Sequence, residues 1–457
     1  MKNYDLIVIG SGCGLLVVEA AAEKGWKTAL IEKGRMGGTC LNVGCIPSKM
    51  LIYPADVIYE IERAGRLGIK ASVDSLNFNS IIERTVFTIS GYRNKLHRQL
   101  HRMNGVDLYE KRAKFKSDHV IEVDGELISS PKIIISAGTR PILPDEQLLH
   151  QEGILTNDNL LDLKEIPREL IIVGGGYVAC EYAHFFTSMG SKVVMIEMAD
   201  RLLSSEEPEI GELVLKTLSK NIDIHLNTKF DEVEKTGSGW KLTAVSGEEE
   251  KKQEYLASHV LFAMGRRSNA DLLELENTDI KTDSKGFIPV DQYLSTNIEG
   301  IYAIGDINGV QMFRHAANYE AEIAWHNIAH SNQKNTRRVA VSYKAMPRAV
   351  FTRPQVAAVG VTEAEAKKAY QTTSQIAYFY ETPKGEAMQE KEGFVKVVAN
   401  SENGQILGCH IAGPQAPVLI QEVVNSMAAD GTASSIHQGI HIHPALSEVI
   451  TTAFSGF

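Results

Sequence analysis

The chain has 457 residues, 44% hydrophobic and 23% charged, a profile that suits two to four folded domains and excludes disordered and collagen-like classes. Lysines and arginines number 47 against 57 acidic residues, a net charge of -10, so neither a polyanion-binding surface nor a nucleic-acid partner is expected. Charge interrupts every long apolar run well short of a membrane span, and five unevenly spaced cysteines make no secreted disulfide framework, so the expected location is the cytoplasm.

The first element, "DLIVIGSGCGLLVVEAAAEKGWKTALIEK", reads as strand, glycine turn, helix and strand, with apolar Leu6 to Ile9, a helix running to Lys24 and a second strand ending at Glu32. Gly10 allows the tight turn, Gly12 lets the backbone approach a pyrophosphate, and the helix start offers N–H groups to phosphates. Glu32 stands where a carboxylate accepts hydrogen bonds from ribose hydroxyls. Leu15 replaces the third glycine, so the motif alone also fits a helix-packing turn with no ligand. Next comes "GGTCLNVGCIPSK", in which Cys40 and Cys45 form the only local cysteine pair. Cys13, Cys180 and Cys409 stand alone in apolar or glycine-rich segments and read as small buried hydrophobes. "IPSKMLIYPADVIYEIER" has helical periodicity, which puts Lys49 on the same face as Cys45 near the helix start, where a cation and the dipole both favour thiolate.

A second strand, turn, helix and strand follows in "LIIVGGGYVACEYAHFFTSMGSKVVMIE", with Gly174 and Gly176 in the first two places, Ala179 in the third and Glu197 closing the second strand. Two nucleotides are therefore expected. "GIYAIGDI" ends an apolar strand at Gly305 and Asp306, a place for a carboxylate that binds a polyhydroxyl chain. "FRHAANYEAEIAWHNI" begins a helix whose first N–H groups could stabilise a reduced, anionic ring. "GIHIHPALSEVI" places His443 five residues before Glu448, an imidazole with a carboxylate to orient it. A metal site from His437, His441 and His443 is the rival, disfavoured because Gly439 interrupts any helix that would align them, and no metal is expected. His437 and His441 then read as ordinary surface residues.

These segments, with "IIISAGTRP", "AMGRRSN", "VFTRPQVAAVGVTEAEA" and "GFVKVVAN" in the same order, resemble the flavoprotein disulfide reductases, the family of dihydrolipoamide dehydrogenase and of glutathione, mycothione and mercuric reductases. The resemblance covers essentially the whole chain. It implies an α/β fold with two Rossmann-like dinucleotide-binding domains, for FAD and NAD, and a C-terminal α+β dimerisation domain. The expected division is an FAD-binding domain at 1–150, an NAD(P)-binding domain at 151–270, a central segment at 271–340 that completes the FAD site, and an interface domain at 341–457.

The resemblance further implies that Cys40 and Cys45 form a redox-active disulfide, with Cys45 against the flavin and Cys40 exchanging with substrate sulfur. Lys49 pairs with Glu181 beside the flavin, and His443 with Glu448 supplies acid–base chemistry across a homodimer. The cofactor residues carried over are Gly10, Gly12, Glu32, Lys33, Gly38, Thr39, Lys49, Ala113, Gly138, Asp306, Arg314, His315, Gly174, Gly176, Tyr177, Glu197 and Gly265. Tyr177 either covers the flavin before nicotinamide arrives or simply packs. Glu197 favours NAD over NADP, because a carboxylate there pairs with ribose hydroxyls and repels a 2′-phosphate, whereas Arg201 and Ala179 lean the other way. The expected reaction is dihydrolipoamide plus NAD+ to lipoamide plus NADH, with a small-molecule or protein-bound dithiol as substrate and a lipoyl domain as a further partner. The alternative is NAD(P)H-dependent reduction of a low-molecular-weight disulfide, kept open by Arg314, the "HxAN" after it and Leu15, which look more like mycothione reductase. A flavin-binding scaffold without turnover is the alternative of a different class, and it has no use for a cysteine pair and a matching histidine together.

Overall fold

The computed structural model describes residues 1–237, 239–247, 251–331 and 337–457. Leu6–Ile9 is buried at every position, as an unbroken apolar run requires of a central parallel strand. It pairs with Thr28–Ile31 on one side and Ile133–Ile135 on the other, while Val106–Tyr109 and Ile301–Ala303 complete a five-stranded parallel sheet. The last of these strands returns late in the chain and brings Asp306 to the same end of the sheet as Gly10. Helix α1 (Gly14–Glu23) buries Leu15, Val17, Val18 and Ala21 in a cluster shared with Ala317, Ala321 and Ala324. Helix α2 (Cys45–Arg63) starts immediately after the glycine that precedes Cys45.

A second parallel sheet runs in the order Ile154–Leu155, His259–Phe262, Glu169–Val173, Lys192–Ile196 and Asp223–His225, with helix α3 (Tyr177–Ser188) after the third of these. The two units use one turn device. Gly10 has φ +101° and Gly174 has φ +119°, and a Cβ at either would collide with a backbone carbonyl, that of Ser136 in the first unit and Ala263 in the second. Each carbonyl belongs to the residue just after the neighbouring strand, so a side chain is excluded by both torsion and space.

The C-terminal unit is an antiparallel sheet ordered Pro347–Val350, Val356–Gly360, Ile406–Ala412, Phe394–Asn400 and Thr372–Tyr378, covered by helices Ala416–Ala428 and Glu448–Phe454 around its own core. Two parallel dinucleotide-type sheets and a separate α+β unit are the expected fold class. Helix α4 (Arg314–Ala329) joins the first sheet to this unit, beginning one residue later than Phe313, which is its N-cap. Cys13, Cys180 and Cys409 are buried as expected. Among the described residues no helix is long and apolar enough to cross a membrane.

Candidate active site

A cavity of about 720 Å³ opens at the carboxyl ends of the first sheet, within the size range of small-molecule sites of roughly 300–1,000 Å³. Gly10, Gly12, Glu32, Lys33, Gly38, Thr39, Ala113, Gly138, Asp306, Arg314 and Tyr177 line it, together with Cys40, Cys45, Lys49 and Glu181. Its walls fit a dinucleotide. A methyl added at Gly12 would meet only the Arg314 guanidinium, at 3.9 Å, and one at Gly138 would meet nothing within 4 Å, so both stretches of backbone face free space. Asp306 stands at the mouth of its strand, where it accepts a hydrogen bond from the Thr139 hydroxyl at 2.9 Å. Glu32 is already engaged by the Ser11 N–H (2.8 Å), the Ser11 hydroxyl (2.6 Å) and the Gly34 N–H (2.8 Å), so a ribose would have to share or displace these donors.

Cys40 is half-buried and Cys45 exposed, and their sulfurs lie within hydrogen-bonding reach of each other. Cys45 is the first residue of α2, with Lys49 one turn on. Its thiol is pulled below the ordinary range, first by the shared proton of Cys40, then by the Lys49 ammonium and the helix N–H groups, against the opposing effect of burial. Cys40 is pushed up for the complementary reason, because it carries that proton. The Lys49 ammonium lies 2.9 and 2.8 Å from the two oxygens of Glu181 and 4.6 Å from the centre of the Phe351 ring. Glu181 also accepts the Phe351 N–H at 2.9 Å, so the half-buried lysine is held by α3 and by the residue just after the strand Pro347–Val350.

Seven other expected residues lie outside the wall of this cavity. Gly174 and Gly176 form the second dinucleotide-type turn, while Glu197 and Gly265 follow the two neighbouring strands of the same sheet. There a Cβ on Gly176 would meet nothing within 4 Å, and Glu197 follows its strand and accepts the Ala199 N–H at 2.6 Å. Arg201 donates to the Ser204 carbonyl at 2.9 Å instead of turning toward Glu197. His315 stacks on Phe313 at 5.5 Å and bonds the Pro347 carbonyl at 2.7 Å. His443, its side chain 69% exposed, lies 2.7 Å from Glu448, whose second oxygen accepts the Ala445 N–H at 2.9 Å.

His441 is half-buried where an ordinary surface residue was expected, its ring 2.6 Å from Glu422. Among the described residues the only converging group of three metal-type side chains is Glu207, Glu209 and Glu363, and the Lys396 ammonium stands 3.0, 2.7 and 2.9 Å from them in place of a cation. Sequence reasoning missed Ser11, Thr139, Asn157, Asp158 and Arg266 in the cavity wall. Thr139 and Arg266 were within reach, because both lie in the quoted "SAGTRP" and "MGRRSN" segments, which pair as antiparallel strands and place the Arg266 Nε 2.7 Å from the Thr139 hydroxyl.

Comparison with known proteins agrees with this geometry. Residues 4–321 match the pyridine nucleotide-disulphide oxidoreductase family, and residues 346–454 match the dimerisation domain of the same family. The mycothione reductase of Mycobacterium tuberculosis is 32% identical over 465 residues, covering 100% of each chain. The dihydrolipoyl dehydrogenase of Chlamydia trachomatis is 34% identical over 456 residues, covering 98% of this chain and 95% of the relative. Among solved structures, the Cu(II) complex of the HOCl-induced flavoprotein disulfide reductase RclA from Escherichia coli superposes with a TM-score of 0.86 at 27% identity, covering 100% of this chain and 99% of the other. The chain therefore belongs to the pyridine nucleotide-disulphide oxidoreductase family, as a flavoprotein disulfide oxidoreductase with a C-terminal dimerisation domain.

Proposed function

We propose that this enzyme oxidises dihydrolipoamide to lipoamide with NAD+, through FAD and the Cys40–Cys45 pair, as a homodimer. The observation that carries the proposal is the dithiol pair on the wall of a dinucleotide-sized cavity, with a polarised Cys45 and an anchored Lys49 beside it. The four-part division at about 150, 270 and 340 belongs to the same proposal, as does a cytoplasmic location.

FAD, when bound, supplies the two-electron exchange between the thiol pair and the nicotinamide. Gly10, Gly12, Glu32, Gly38, Gly138 and Asp306 hold it in this reading, while Gly174, Gly176, Glu197 and Gly265 hold NAD. Starting from the disulfide, a substrate thiolate bonds to Cys40 sulfur and the Cys40–Cys45 bond breaks, releasing Cys45 as a thiolate that Lys49 and the helix N–H groups stabilise. The second substrate thiol then attacks the mixed disulfide, lipoamide leaves, and Cys40 departs as the thiol of the reduced pair. His443 of the opposite protomer takes the substrate proton, and Glu448 holds the ring for it.

Arg314 favours a second reading, NAD(P)H-dependent reduction of a low-molecular-weight disulfide. Its cation lies on the cavity wall and favours the anion of either thiol, though Cys40 stays raised overall, so it could also meet an anionic substrate. Anaerobic reduction of the FAD-loaded protein separates relay from scaffold. One equivalent of dihydrolipoamide or NADH should raise a long-wavelength absorption shoulder, which Cys45→Ser should abolish with FAD retained. Cys40→Ser should show a standing shoulder without turnover. Normal disulfide turnover in either variant would refute the pair.

A further inference from the structure

We infer that Glu206, clamped by Arg348, is a positioning residue that latches Tyr177 at the cavity wall, so that a nicotinamide nucleotide enters by breaking the Tyr177–Glu206 hydrogen bond. The inference rests on the proposed FAD and NAD chemistry and takes the first of the two readings of Tyr177, a ring that covers the flavin before nicotinamide arrives; it assigns that ring's restraint to two residues that no glycine or cysteine motif contains.

Tyr177 is the first residue of α3, directly after Gly176, and its ring borders the cavity. At that position the backbone is fixed by the glycine turn, but the side chain can swing about its own bonds. Two contacts define the observed orientation. The ring leans on Phe313, with centroids 6.1 Å apart, and the hydroxyl donates to the Glu206 carboxylate. The acceptor is unusual, because the Glu206 side chain is 0% exposed. A carboxylate withdrawn from water in this way persists only with a charge partner, and Arg348 supplies it through Nε at 2.7 Å, the arginine being held in turn by the Gly360 carbonyl at 3.1 Å. The loop that carries Glu206 is tied to the dinucleotide turn, since the Leu203 N–H donates to the Gly175 carbonyl at 2.9 Å and the Glu206 N–H to the Leu203 carbonyl at 2.8 Å.

This arrangement can open without stranding a charge. When the tyrosine hydroxyl leaves, the same Glu206 oxygen keeps Arg348, so the buried ion pair survives and the opening costs one charge-assisted hydrogen bond. Arg348 comes from the first strand of the C-terminal sheet, so the latch on the dinucleotide-type unit is held by the unit that carries His443.

The test compares Tyr177→Phe, Glu206→Gln and the double variant as FAD-loaded full-length protein, by calorimetric titration with NAD+ and by urea unfolding. Tyr177→Phe keeps the ring and removes the bond, so its dissociation constant for NAD+ should fall by about tenfold, the value of one such bond. Glu206→Gln should shift it in the same direction by less, and the double variant should bind no tighter than Tyr177→Phe, because both changes break one contact. Lower urea stability with an unchanged or weakened NAD+ constant would show a purely structural bond and overturn the latch, as would additive effects. Absence of any NAD+ or NADP+ binding by the unaltered protein would overturn the latch together with the function on which it rests.

Discussion

A thiol at the first position of a helix is biased toward its anion before any cofactor arrives, and Cys45 adds a lysine one turn away and a neighbouring thiol that keeps the proton. Because its pKa is depressed, the charged form is present above the lowered value and is lost only as pH falls through it. The long-wavelength band should therefore persist below the ordinary thiol value of about 8.5. Lys49→Met should raise the pH at which the band appears by about one unit, since it removes an opposite charge, and an absorbance titration of the two reduced proteins measures this. An unchanged midpoint would show that Lys49 does not help polarise Cys45. At this level much was legible in the sequence. The Cys45–Lys49 relation follows from helical spacing, and the Lys49–Glu181 pair followed from the resemblance before geometry placed the atoms within 2.9 Å. Glu206 and Arg348 were not legible, because each lies in a segment without a motif and their meeting depends on how a loop of one unit packs on a strand of another.

Helices and strands carry a different kind of information. Glycine turns announce themselves because no side chain can replace them, and both Gly10 and Gly174 are pinned by backbone collisions that any Cβ would suffer. Lys396 shows what such local reasoning omits. It occupies a strand that is buried at all seven positions, and its 4% exposed side chain neutralises Glu207, Glu209 and Glu363 from two other elements. The sequence "GFVKVVAN" marks the strand, yet nothing in its alternation names the acidic partners 187 and 189 residues away. Lys396→Met should strand the nearly inaccessible Glu207 carboxylate and cost roughly 3–5 kcal/mol in urea unfolding, with the flavin spectrum of the folded protein unchanged. A loss below about 1 kcal/mol would mean that water or His410 already compensates the carboxylate, contrary to the packing.

The assembled molecule adds what one chain leaves unfinished. His443 does not line the cavity of its own chain, and beside it Ile440 and Ile442 stand 102% and 76% exposed, an apolar face that a second protomer would cover. A mixed dimer of one Cys40→Ser chain and one His443→Gln chain should keep one intact site and about half the activity, because both lesions fall in the other site, whereas the His443→Gln homodimer should lose about 10²- to 10⁴-fold and the Cys40→Ser homodimer all turnover. Near-complete loss in the mixed dimer would place the histidine at its own chain's site. The two parallel units were readable because each begins with a glycine turn, whereas the α+β unit followed only from the resemblance. The substrate was not, because related enzymes share this chemistry and differ in the cleft, where Arg314 is the residue at issue. Steady-state turnover on one preparation decides the matter: dihydrolipoamide with NAD+ is set against low-molecular-weight disulfides with NADH and with NADPH. The expected result is the highest kcat/KM for dihydrolipoamide with NAD+, and at least about a tenfold preference for NAD(H) over NADP(H), as the Glu197 carboxylate requires. Efficient turnover confined to a disulfide with NADPH would contradict both the proposed substrate and the proposed role of Glu197.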